Sequence, residues 1–231
     1  VRSIEGGAVE TTIPAEIQSA LTDLARETDT TLFMVMHAAF AVLLSRLSGT
    51  DDVAVATPTA GRGEEALDGL VGMFVNTLAL RTRVDSDAEF ERVLAATKET
   101  DLGAFSHADL PFERVVELLA PTRSKSFSPL VQVLLTFQNV EYPSVELPAL
   151  TVQAVDGGLR DAKYDLGLAL HEEFGDDGAP AGITAHFTYA TDILDHDSIE
   201  TFAERFLAVL RAVVADRRVV VGDIDILTDA E

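Results

Sequence analysis

Apolar residues recur along this chain in two rhythms, and the switch between them lays out the elements. From Pro14 to Glu27, Ile17, Leu21 and Leu24 fall on one helical face, and Pro14 opens the segment where its missing N–H costs nothing. Thr31–Leu47 predicts a second helix, apolar nearly all round and therefore interior, closed by Gly49. Val53–Thr57 (VAVAT) reads as an interior strand, and Ala60–Leu70 as a polar loop with Gly61, Gly63 and Gly69. Then comes VGMFVNTLALR, Val71 to Arg81, with a strand expected over Phe74–Arg81. Val71, Phe74, Val75, Leu78 and Leu80 are expected on a buried pleated surface. Asp87–Gly103 predicts a helix with an acidic first turn, and Pro111–Leu119 a short one entered through proline. Leu130–Phe137 reads as a strand and Leu150–Val155 as a weaker one. Tyr164–His171 and Gly182–Tyr189 alternate and predict a hairpin across the acidic turn Glu172–Pro180. Asp195–Val214 is a long amphipathic helix bearing Ile199, Phe202, Phe206, Leu207, Leu210 and Val214, and Asp223–Leu227 closes the chain as a strand or extended tail. The mixed order implies an α/β (α+β) fold, a mixed sheet with packed helices, and no linker divides it.

Composition narrows the function. Among 231 residues, 17 Lys+Arg stand against 39 Asp+Glu, a formal net charge of −22, so nucleic-acid phosphates and anionic membrane surfaces would be repelled. No nucleic acid and no membrane are expected as partners. There is no cysteine, which removes disulfides, thiolate metal sites and a cysteine nucleophile. Thr30–Ser45, the longest uncharged stretch, is shorter than the ~20 residues of a membrane span. No signal peptide is visible, and a cytoplasmic location is the expectation. The opening at Val1 rather than Met suggests an excised segment.

Most candidate chemistry dissolves on inspection. Gly61-x-Gly63-x-x-Ala66 follows a strand as a dinucleotide fingerprint does, but Glu64 and Glu65 would repel a pyrophosphate. HEEFGDDG, His171 to Gly178, reads as an acidic hairpin loop. Asp195 before the last helix reads as a cap rather than a metal ligand. The histidines show no metal-ligand spacing, so no metal site is expected. His37 and His186 read as hydrogen-bonded core residues. Asn76 in an apolar run needs partners, because an unpaired buried amide costs roughly 1–3 kcal/mol. In HADLPFE, His107 to Glu113, Asp109 is expected to cap the helix that Pro111 opens, and Glu113 sits in its first turn. His107 has no evident structural role.

HADLPFE resembles the His-Gln-Asp-x-Pro-Phe-Glu motif of nonribosomal peptide synthetase condensation domains, with Ala108 in place of glutamine. TRSKSFSPL resembles the family's Arg-x-x-x-x-x-Pro-Leu motif through Arg123, Pro129 and Leu130. VGMFVNTLALR resembles its Phe-Val-Asn-Thr signature. TPTAGR at Thr57–Arg62 and AKYDLGLAL at Ala162–Leu170 agree, and the order and spacing match. The resemblance covers only the second half of the family pattern: no two histidines are adjacent, so its catalytic His-His-x-x-x-Asp-Gly is absent.

The resemblance implies one lobe of a chloramphenicol acetyltransferase-like fold. Residues 1–226 would form the C-terminal lobe, and 227–231 the start of a linker. The parent domain would join thioester-linked substrates delivered on phosphopantetheine arms by donor and acceptor carrier proteins. The chain itself would bind no cofactor and carry no catalytic residue. Phe74, Asn76, Thr77 and Arg81 are expected at the tunnel or the interface with the N-terminal lobe. His107, Asp109, Pro111, Phe112, Glu113, Arg123 and Pro129 are expected as structural supports, and the crossovers between lobes near Ala60–Val75 and Val155–Tyr164. Alternatives are a stand-alone module recruiting carriers or another enzyme, and a lobe of an epimerisation or terminal condensation-like domain.

Overall fold

The computed structural model describes residues 3–62, 67, 69–120, 127–138, 161–175 and 177–227. The elements run β1 (Gly6–Ile13), α1 (Ala15–Glu27), α2 (Leu32–Ser48), β2 (Asp52–Thr59), β3 (Asn76–Arg83), α3 (Phe90–Phe105), α4 (Phe112–Leu119), β4 (Val133–Gln138), β5 (Leu166–Phe174), β6 (Pro180–Ala190) and α5 (His196–Ala215), then a 3-10 turn, Val221–Asp223. The six strands form one mixed sheet in the order β1-β6-β5-β4-β2-β3. β4 runs parallel to β2 and β5, and the other pairs are antiparallel. The mixed α/β expectation is met, and β5 and β6 form the expected hairpin.

One face of the sheet carries the core. Ile13, Val55, Leu80, Leu135, Leu168, Leu170, Ile183 and Phe187 are buried there with Leu21 of α1, Met36 and Phe40 of α2, Leu94 of α3 and Phe206 of α5. The opposite face presents short and polar side chains, including Ala8, Thr12, Thr184, Thr188, Gly167, Ala169 and Thr136. Side chains alternate across a strand, so the two sets cannot mix. Phe206 joins the layers: its ring meets Phe40 edge-on at 5.9 Å and Phe187 at 6.1 Å. Thr31 Oγ1 caps α2 by accepting from Met34 N–H at 3.2 Å, and Gly49 ends the helix at φ 69°. Asp195 caps α5 as expected, accepting from Ser198 N–H at 2.8 Å.

The C-terminal tail is sewn down. Arg46 Nη1 donates to the carbonyls of Val221, Gly222 and Ile224 at 2.8, 2.9 and 3.1 Å. Val221 N–H donates to Ala88 O and Gly222 N–H to Ser86 O, while Ile224 and Ile226 are buried. Among the described residues no single helix is long and apolar enough to cross a membrane.

Three readings need correction or completion. β1 is a strand that the hydrophobic pattern did not reveal. Its Gly7 lies under the Tyr189 ring, where a Cβ would come within 2.2 Å of the ring carbon. β3 starts at Asn76 rather than Phe74, and Val71 and Val75 are exposed instead of buried. Thr59 is the last residue of β2 and pairs with Asn76, so among the described residues no strand pairs with the chain before Asn76. His186 is exposed beside Glu10 on the face of the sheet opposite the core. The Leu150–Val155 strand expectation lies outside the described residues.

Candidate functional site

Asn76 is where the motifs meet. Its side-chain Nδ2 donates to the carbonyls of Ala108 and Leu110, each at 2.8 Å. Its Oδ1 accepts from Thr77 N–H at 2.8 Å and from Phe112 N–H at 3.1 Å. The amide that looked awkward in an apolar run is thus fully engaged, and it holds the HADLPFE loop against the start of β3. It also does the work expected of Asp109. Phe112 N–H is an unpaired amide of the first turn of α4, and Asn76 satisfies it from a different element. α4 has no side-chain cap from its own flank, and Asp109 is exposed. The local rule lost to a contact made 36 residues away in sequence.

His107 gains a structural role that the sequence left open. Its Nδ1 lies 2.9 Å from both Gly103 O and Ser106 Oγ, so the ring closes the C-terminal turn of α3. Unpaired carbonyls there favour such a donor. Pro111 precedes α4 with φ −59°, and Glu113 stands in its first turn as expected.

α4, the start of β3, the Ser128–Val131 segment and Lys163–Tyr164 enclose a cleft of about 480 Å³, lined by Thr77, Phe112, Glu113, Val116, Pro129 and Tyr164 among others. That size falls in the range of roughly 300–1,000 Å³ typical of ligand sites. Between the lining residues Pro129 and Val131, Leu130 sits at φ 65°, and Val131 N–H donates back to Pro129 O at 2.8 Å. A non-glycine residue at positive φ in a three-residue turn is strained backbone, of the kind that concentrates at functional sites. The cleft therefore draws on four of the motif segments singled out above, those holding Thr77, Phe112–Glu113, Ser128–Pro129 and Lys163–Tyr164. Arg123 lies outside the described residues. Lys163, Tyr164 and Glu117 were not foreseen individually. The signal for Lys163 and Tyr164 was the AKYDLGLAL flank, which shares the cleft with α4 only through the fold.

Burial raises the Tyr164 phenol above its ordinary pKa, partly offset by a hydrogen bond with Thr77. Alkaline titration followed by tyrosinate absorbance, with Tyr164→Phe as the difference, is expected to show this phenol ionising above about pH 10. Thr77→Val removes the opposing bond and is expected to push the transition higher. A downward movement would overturn the assignment.

The remaining candidates separate. Phe74 is half-buried under the Arg62 guanidinium, 4.3 Å from its ring centroid. Arg62 also donates to Leu70 O at 2.8 Å and to Leu67 O, and Gly61, at φ 63°, turns so close that a Cβ would meet Phe74 O at 1.8 Å. Gly61 thus serves a tight approach to Phe74; the rest of the fingerprint, Gly63–Ala66, lies outside the described residues. Arg81 is exposed on the other face of β3 from Asn76, paired with Asp52 through Nε at 2.8 Å. That hydrogen bond holds the Asp52 carboxyl below the usual carboxylate range. Among the described residues no group of three or more acidic or histidine side chains could hold a metal.

Comparison with known proteins gives this constellation a family. The sequence model of the condensation domain matches residues 1–231. This chain belongs to the condensation-domain family. Curated relatives include a nonribosomal peptide synthetase of Salinispora arenicola, 44% identical over 219 residues and covering 95% of this chain but 3% of that protein. The dimodular nonribosomal peptide synthase of Bacillus subtilis is 37% identical over 99% of this chain and 10% of its own length. Among solved structures, the teicoplanin-biosynthesis X-domain in complex with OxyB superposes with TM-score 0.91 at 31% identity, over 99% of this condensation-family chain and 50% of that one. A four-domain nonribosomal peptide synthetase bound to AMP and glycine gives TM-score 0.89 at 26% identity, covering 99% and 18%. The chain thus spans a small fraction of the curated synthetases and about half of the X-domain chain. The family read from HADLPFE, the Pro129-Leu130 motif and VGMFVNTLALR is borne out.

Proposed function

We propose that residues 1–226 form the C-terminal lobe of a nonribosomal peptide synthetase condensation domain, with 227–231 beginning the linker onward. The observation that carries this is the cleft: Thr77, Phe112, Ser128 with Pro129, and Tyr164 come from four separate motif segments and converge on it. In this reading the cleft belongs to one wall of the passage through which donor and acceptor carrier proteins insert phosphopantetheine arms. Asn76 holds that wall, with His107, Pro111 and Glu113 supporting α4 and Arg123 assigned to the same support. Phe74 and Arg81 stand at the contact with the N-terminal lobe. Aminolysis of a thioester by an amine runs downhill, so holding two arms in register supplies much of the acceleration. The histidine motif that handles the amine belongs to the missing lobe, and the setting is the cytoplasm.

The chain alone, mixed with loaded donor and acceptor carriers, is expected to give no amide above background. Added N-terminal lobe is expected to form a complex measurable by calorimetry. Dipeptide from the chain alone, or no complex at high micromolar concentration, would overturn the reading. The match to an X-domain solved with OxyB favours a second reading, a module that recruits a partner enzyme. Complex formation with a partner enzyme but not with the N-terminal lobe would select it.

A further inference from the structure

α2 is apolar nearly throughout, yet His37 sits inside it with its side chain 1% exposed, facing Asp101 of α3 at 0%. His37 Nδ1 and Asp101 Oδ1 are 2.9 Å apart. With the carboxylate accepting, the imidazole carries its proton on Nδ1. His37 Nε2 and Asp101 Oδ2 have no partner among the described residues. Such a pair is a poor stabiliser. Desolvating both groups offsets most of their attraction, and apolar replacements of similar volume are often as stable. What it supplies that methionine and leucine cannot is direction. A directed hydrogen bond favours one roll and one axial position of α3 against α2 over their neighbours.

The pair lies at the end of α3 that leads into the cleft. Asp101 continues the buried stripe of Val93 and Thr97. The next turn is pinned by Phe105, whose ring meets Phe33 edge-on at 6.1 Å, and Phe33 in turn stands 6.1 Å from the His37 ring. His107 then closes α3 on Gly103 O, and Asn76 takes Ala108, Leu110 and Phe112. After them α4 begins and presents Phe112, Glu113 and Val116 to the cleft. The loop carrying HADLPFE is therefore mounted at two points.

The geometry points to His37 and Asp101 as positioning residues for the α4 wall of the cleft. Neither reaches the cleft itself; they act through the end of α3. That role bears on amide formation only through the function proposed above, whereas the mount itself does not depend on it.

The test uses the chain itself, with the Asn76 side-chain NH2 and the Phe112 N–H as reporters in 15N–1H spectra. His37→Met with Asp101→Leu is expected to keep the melting temperature while both reporters shift and exchange about tenfold faster, the size of one modest hydrogen bond. Asp101→Asn keeps an acceptor for Nδ1–H and is expected to restore the wild-type reporters. Asp101→Thr, too short to reach, is expected to move them, and this contrast decides the matter if the double variant does not fold. Reporters unchanged in the folded double variant, or alike in the Asn and Thr variants, overturn the proposal. In the parent domain, displaced reporters with unimpaired amide formation overturn the functional reading of the cleft and leave the mount standing.

Discussion

Asn76→Ala is expected to lower the unfolding free energy by about 3 kcal/mol, from bonds worth roughly 0.5–1.5 kcal/mol each. The substitution strands two carbonyls, Ala108 O and Leu110 O, and the Phe112 N–H at once. Part of the site is open to water, which keeps the loss below the full sum. Asn76→Asp is expected to be no milder. It keeps the acceptor for Thr77 and Phe112 but turns a carboxylate oxygen toward two carbonyls. Urea unfolding of the variants checks both, and a loss under about 0.5 kcal/mol for alanine would sink the idea that this residue locks the loop.

The larger effect is expected in the core. Phe206→Ala should cost about 4 kcal/mol, near the middle of the range of roughly 3–5 kcal/mol for such truncations. The ring is 1% exposed and touches Phe40 and Phe187 edge-on, so its loss opens a cavity shared by α2, α5 and β6. Those three elements cannot all move in to fill it. Phe206→Leu is expected to recover more than half of the loss. Thermal and urea unfolding give the comparison, and an alanine cost below about 1 kcal/mol would show that the site collapses freely.

What could be read from the sequence follows the range of the interactions involved. α1 and α5 were legible because their apolar residues lie on one face at helical spacing, α2 because a long run apolar nearly all round suits an interior helix, and a cap such as Asp195 is set within three residues. β1 was not legible. Its glycines look like loop, and only the Tyr189 ring across the sheet explains why Gly7 must be small. Asp109 failed as a cap for the same reason: a strand residue satisfied the helix first. Val71 and Val75 show the opposite error, since apolar composition was read as burial in a segment that precedes the pairing of β3 with β2. In the site, the motifs identified the family and the segments that converge. They did not reveal Tyr164 as a wall of the cleft, nor that Asn76 and Arg81 point to opposite faces of β3. The His37–Asp101 pair was half legible: a hydrogen bond was expected of the histidine, but its partner on another helix was not.

The stitched tail has a mechanical consequence. A pull on the chain beyond Leu227 does not peel residues away one by one from a loose end. The three carbonyls held by Arg46 and the amides of Val221 and Gly222 lie close together along a few residues. Tension reaching them is shared among several bonds and passes directly into α2 and the segment leading into α3. Resistance to such a load is a matter of rate rather than equilibrium, set by how many bonds must break together. A load arriving at Leu227 is thereby delivered to the helices packed on the sheet rather than to a single frayed end.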